Sequence, residues 1–227
     1  MGETEHSPHE AEDAGDDFSL LKERRLETVD TTVGLLLRRC QRKGVQPREM
    51  VLMGFQDRQK VKEQLGDDLA AEIFAAVSSL SDYNLDDETA RAQAHQDIQR
   101  IFSRIVDFQH SNTAESRMAR EREGRPSEDW KQAGIFSYEV TDQHELILHV
   151  PSMAEAPQPG QLKDSLRQLA DMLEQEPNIS EVRGSSLLLE HPIAKRLGFG
   201  VDPESDEGFV PNFRMSREEF LKRFGKK

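Results

Sequence analysis

The sequence predicts an α+β protein: a bundle of about four helices followed by a small α/β domain of three to four strands. Three observations carry that prediction. Apolar residues from Leu20 to Cys40 recur at three- and four-residue spacings, the period of an amphipathic helix. From Gly134 onward the period changes to two, as in a half-buried strand. Between these regions, residues 111–133 are polar and charged, with Gly124 and Pro126 as punctuation.

Residues 1–17 hold seven acidic side chains and no Lys or Arg, and after Met1 they offer nothing apolar larger than proline and alanine. Such a segment cannot bury enough surface to offset its chain entropy, so a disordered tail is expected. The expected division is a tail at 1–17, a helical domain at 18–110, a charged linker at 111–133 and an α/β domain at 134–227. The first helix should run over 18–43 and stop at Gly44, with Pro47 opening the next. That second helix is expected over 47–64, broken by Gly66. A third over 69–80 would be capped by Asp67 or Asp68. Asp86 or Asp87 would cap a fourth, whose stripe of Ile98, Ile101, Phe102, Ile105 and Phe108 extends to about residue 110.

In the α/β part, strands are expected at 135–140 and 146–150, joined by the hairpin TDQHE. A proline-rich loop then leads into a helix at 161–174. A third strand is expected at 179–189, then a short helix, HPIAKRL, and a loop at 200–208. Pro211 confines a strand at 209–215 to an edge or bulge. Ser216 and Glu219 form a capping box for a last helix.

The chain has 227 residues and a net charge of −13, about half of it in the acidic tail. No broad basic field remains, which argues against a nucleic-acid partner. RRCQRK at 38–43 fits a helix end, where the dipole favours cations. Arg117, Arg120, Arg122 and Arg125 are interleaved with Glu115, Glu121 and Glu123, as on a solvated helix face. A lone cysteine, Cys40, permits no internal disulfide. With no apolar leader and no run of about 18 apolar residues, the expected location is cytoplasmic, without a membrane span.

None of the seven histidines has a partner four residues on, so no helical metal pair is expected. His6 and His9 fall in the tail. His149 and His191, each near a strand end, are the candidate base or ligand, with Ser185 beside them. Ser185-Ser186 lacks the glycine frame of a nucleophile elbow. Cys40 reads as a buried thiol or, given its arginine neighbours, a reactive one. Asp202, Glu204, Asp206 and Glu207 lack the spacing of a calcium loop and read as a flexible loop.

The segments ELILHVPSM, the loop through Gly160, LKDSLRQLADML, EVRGSSLLL and HPIAKRLGF resemble the C-terminal half of the GNAT superfamily of N-acyltransferases. Ala194 and Leu197-Gly198-Phe199 match that family's closing segment. The resemblance implies an acyl-CoA cofactor, its pyrophosphate held on backbone amides at Gly160 and Gln161, and an acceptor site near His149 and Ser185. The matching stretch APQPGQLK has one glycine and two prolines, which supply no N–H to such a cradle. The expectation is therefore a non-enzymatic interaction or scaffold protein with a GNAT-like module that lacks its cofactor loop. It would meet a protein partner, or itself, through the helical half. The alternatives are a divergent acyl-CoA-dependent acyltransferase, using acetyl-CoA or another acyl-CoA, and a nucleic-acid-associated regulator using the two basic clusters.

Overall fold

A computed structural model describes residues 9–111, 130–149, 159–204 and 206–226, with side chains from Lys22 in the first helix and from Gly160 in the sixth. The architecture is α+β, with helices concentrated at the N-terminus and a mixed five-stranded sheet in the C-terminal half.

The helical half comprises α1 (His9–Lys43), α2 (Pro47–Gly54), α3 (Arg58–Leu65), α4 (Asp67–Ser78) and α5 (Glu88–Gln109). The stripe of α1 supplies Val29, Val33, Leu36, Leu37 and Cys40 to one core with Met50, Val51, Ile73, Ala94 and Ile98. Gly44 ends α1 at φ +65, and the Val45 N–H reaches back to the Cys40 carbonyl at 3.0 Å, a Schellman closure. Asp87 caps α5 by accepting from Ala90 N at 2.8 Å.

The helix expected over 47–64 is two helices. Asp57 accepts from Lys60 N at 3.0 Å and so starts a new helix, while Phe55 turns inward to meet Phe74 and Phe102 edge-on at 6.4 and 6.3 Å. Within the acidic segment α1 begins at His9, and residues 1–8 lie outside the described residues.

The C-terminal half is β1 (Lys131–Ala133), β2 (Phe136–Val140), β3 (Glu145–His149), α6 (Pro159–Gln175), β4 (Glu181–Ser185), a 3-10 turn at Leu187–Glu190, α7 (Pro192–Arg196), β5 (Asn212–Ser216) and α8 (Arg217–Phe224). The sheet order is β1-β2-β3-β4-β5, antiparallel except for the parallel β3–β4 pair. Alternate residues Phe136, Tyr138, Leu146, Leu148, Val182, Phe213 and Met215 face one core with Leu166, Leu169 and Leu173 of α6 and Phe220 of α8. The opposite face carries an ion-pair row in which Glu145 and Glu181 both hold Arg183, and Glu181 also holds Arg214 at 2.6 Å. Ser216 caps α8 by accepting from Glu219 N at 3.2 Å.

The sheet has one strand more than the three to four expected. β1 falls inside the stretch read as linker, because its alternation is only three residues long and two of them are polar. It closes on β2 through a tight turn in which Gly134 has φ +61, and a Cβ there would collide with Ser165 Oγ of α6. The strand expected over 179–189 ends at Ser185. Ser186 Oγ then accepts from Leu188 N at 3.1 Å, and that cap turns the following leucines into the 3-10 segment.

The two halves meet where α1 ends. Arg39, with no exposed side-chain surface, stands 3.2 Å from Glu190 Oε1 and 2.5 Å from Asp206 Oδ1, and donates from Nη2 to the Gly208 carbonyl at 2.7 Å. The Asp206 contact is an ion pair and not an aligned hydrogen bond, and Arg39 Nε has no partner among the described residues. Arg42 donates to Glu190 at 2.5 Å and to Asp206 Oδ2 at 2.8 Å, and Lys43 Nζ donates to the Asp206 carbonyl. Next to this clasp, Phe209 lies on Gly54 of α2, where a Cβ would stand 3.0 Å from the ring. This corrects two expectations. RRCQRK is not merely a helix end where the dipole favours cations, and the acidic run is not merely a flexible loop. Arg39, Arg42 and Lys43 pair with Asp206 of that run, and the two arginines also with Glu190.

Candidate functional site

In α/β sheets, ligand crevices form beyond the carboxyl ends of parallel strands. Here that place is the end of the β3–β4 pair. The last paired rung is Leu148 with Gly184. Beyond it β4 stays with β5, through Ser185 opposite Asn212 and Ser186 N donating to the Pro211 carbonyl at 3.0 Å. Gly184 makes the closeness possible: a Cβ would meet the Phe213 ring at 2.5 Å and the Leu148 carbonyl at 2.8 Å. The start of α6, with Gly160 and Gln161, follows from the β3 side.

On the open sheet face the end of β3 presents His149, and the end of β4 presents Ser185. The structure brings these two candidates to the same edge, but it gives each its own partner. His149 Nε2 is 3.1 Å from Glu139 Oε1, and its ring stacks on Trp130 with centroids 3.8 Å apart and planes at 13°. Ser185 Oγ donates to Asn212 Oδ1. His191 is the N-cap of α7, its Nδ1 accepting from Ile193 N at 3.2 Å. His191 spends its acceptor on the backbone.

On the inner face, the same crevice opens into an apolar slot of about 60 Å³ between the sheet and the segment 186–199. Phe136, Leu148 and Phe213 form its floor, and Leu162, Leu188 and Ile193 belong to a half-buried rim. Phe199 closes the far end, with its ring 5.0 Å from Phe213 and 5.6 Å from Phe224.

The remaining candidates resolve plainly. Gly160 sits where an added Cβ would touch nothing within 4 Å, so no close approach there demands glycine. Gln161 lies in the first turn of α6, and its carbonyl accepts from Ser165 Oγ at 2.7 Å. Most of the APQP stretch before it lies outside the described residues. Cys40 is fully buried, and burial pushes its thiol up to about 12, outweighing the lowering influence of Arg39. The thiol therefore stays protonated and is no nucleophile. Asp202 Oδ1 accepts from Glu204 N at 3.1 Å, and Asp206 belongs to the clasp. Among the described residues no group of three His, Cys, Asp or Glu is placed to hold a metal ion. His6 and the linker arginines fall outside the described residues, as does the side chain of His9.

Sequence reasoning missed Glu139, Trp130 and Glu190. Glu139 was findable, because hairpin pairing places it diagonally from His149 on one face. Glu190 carries no local signal, since its partners are about 150 residues away. Comparison with known proteins finds no matching family model, no matching curated protein and no matching solved structure. No described helix is long and apolar enough to cross a membrane.

Proposed function

We propose that this chain is an interaction protein, in which a GNAT-like α/β module uses its crevice to grip an aliphatic group of a protein partner while the helical half rides behind it. The observation that carries this reading is the division of labour at the crevice. The polar side chains near it are bonded into the fold, while the half-buried rim of Leu162, Leu188, Ile193 and Leu197 surrounds an apolar slot. Among the described residues, large exposed apolar side chains elsewhere are Met53 and Val140, which stand singly. The GNAT-like part of the reading is supported by strand order: an antiparallel hairpin, a helical crossover to a parallel strand, a short helix ending in Leu197-Gly198-Phe199, and an antiparallel return strand.

The test is a pair of retention experiments. Ile193→Glu with Leu197→Glu puts two carboxylates at the slot mouth. Proteins retained by the wild type should be released by this variant when circular dichroism shows it folded, and light scattering should show any self-association weakened in parallel. Identical retention and identical mass on both chains would sink the reading.

A second reading, a divergent acyl-CoA-dependent acyltransferase, is favoured by one observation. The first turn of α6 stands at the carboxyl end of the parallel pair, where helix amides attract anions. Calorimetric titration with acetyl-CoA decides between the two. Binding heat favours the enzyme, and no heat at millimolar cofactor removes it.

A further inference from the structure

The clasp between the halves and the slot at the crevice share one short element. The 3-10 turn Leu187–Glu190 places Leu188 and Leu189 in the slot wall and Glu190 in the clasp. Such a helix rises about 2 Å per residue, so Leu188 and Glu190 stand roughly 4 Å apart along its axis. The turn has little slack. Leu189 N bonds the Ser186 carbonyl at 3.1 Å, His191 N bonds the Leu188 carbonyl at 2.9 Å, and Ser186 Oγ caps its start. On the other side, His191 caps α7, and Ile193 and Ala194 of that helix line the slot as well. Glu190 is thus the junction of two slot walls.

The groups that grip Glu190 both come from α1. Arg42 Nε donates to its two oxygens at 3.2 and 3.1 Å and Nη2 to Oε1 at 2.5 Å, while Arg39 Nη1 donates to Oε1 at 3.2 Å. The same arginines hold Asp206, and Lys43 adds a third cation, so three cations face two carboxylates with the buried thiol of Cys40 beside them. A force that lifts α1 from the sheet half pulls on Glu190, which the 3-10 turn joins to the slot wall.

We infer that the grip of Arg39 and Arg42 on Glu190 makes docking of the helical half set the shape of the apolar slot, so that the helical half regulates what the crevice binds. That regulation rests on the crevice being a binding site, as proposed above, but the coupling itself is measurable without a ligand.

The experiment uses the full chain with methyl-labelled Ile and Leu. Glu190→Gln, Arg42→Gln and Asp206→Asn each weaken the clasp, and the last two alter no residue of the 3-10 turn. All three should shift or broaden the methyl signals of Leu188, Leu189 and Ile193. Glu72→Gln, which breaks the surface pair with Arg104 at 2.9 Å, should leave those signals in place. Binding of the fluorescent apolar probe anilinonaphthalene sulfonate is read on the same samples. It should weaken roughly fivefold or more in the clasp variants, the low end of ordinary site-to-site coupling. Slot methyls unmoved in all three folded clasp variants overturn the inference. Methyls that shift in the clasp variants while the wild type binds no probe uphold the coupling and remove the binding reading.

Discussion

Arg39 shows what one buried cation does for the molecule. It has no exposed surface, and its two carboxylate partners keep 6% and 11% of theirs. Removing it leaves Arg42 and Lys43 facing the two carboxylates but empties the buried position between them, and breaking a buried pair in this way costs about 3–5 kcal/mol. Arg39→Ala should therefore lower unfolding stability in urea by about that amount, and a loss under about 1 kcal/mol would mean that water already shares the site. Asp206 adds a pH dependence. Burial is the largest influence on it and favours the neutral acid, but the hydrogen bond from Arg42 and the charges of Arg39 and Arg42 prevail, so its carboxyl titrates below the ordinary value. Its contribution is complete above the unfolded value near 3.8 and is lost as pH falls through the lower folded one. Urea stability followed from about pH 6 to about pH 2 should fall more steeply for the wild type than for Asp206→Asn, and parallel curves would refute the assignment.

At the scale of elements, backbone contacts explain where the chain obeys its local pattern and where it does not. The parallel pair can end in an open crevice because Gly184 lets Phe213 lie against β4. Gly184→Ala forces a Cβ to within 2.8 Å of the Leu148 carbonyl, which cannot rotate away. Overpacking of this kind costs about 1–3 kcal/mol, and the thermal midpoint should drop accordingly. A midpoint equal to wild type would show that β3 and β4 yield there. Helices with long stripes and clear caps, such as α1 at Gly44 and α5 at Asp87, were legible in the sequence, because period and cap act within a few residues. The break at Phe55–Asp57 was not, since it depends on aromatic partners in α4 and α5. Strand β1 was too short to show a period. The crevice was half legible: both strand ends and the helix start were in view, but the partners that occupy His149 and Ser185 come from β2 and β5.

For the whole molecule, the clasp and the seat of Phe209 on Gly54 join two cores that the sequence presents as separate domains. Scanning calorimetry should give one cooperative transition for the wild type and two for a chain carrying Arg39→Met and Arg42→Gln. Two transitions in the wild type would mean that the halves melt independently despite their contacts.

The spacing of that joint in the chain bears on how the protein is made. Arg39 and the carbonyl that receives it are 169 residues apart, and Arg42 and Asp206 are 164 apart. At ordinary rates of synthesis, roughly 5–20 residues per second, α1 emerges from the ribosome about ten to thirty seconds before its counter-charges. During that interval Arg39, Arg42 and Lys43 at the end of α1 lack the carboxylates that hold them in the folded chain.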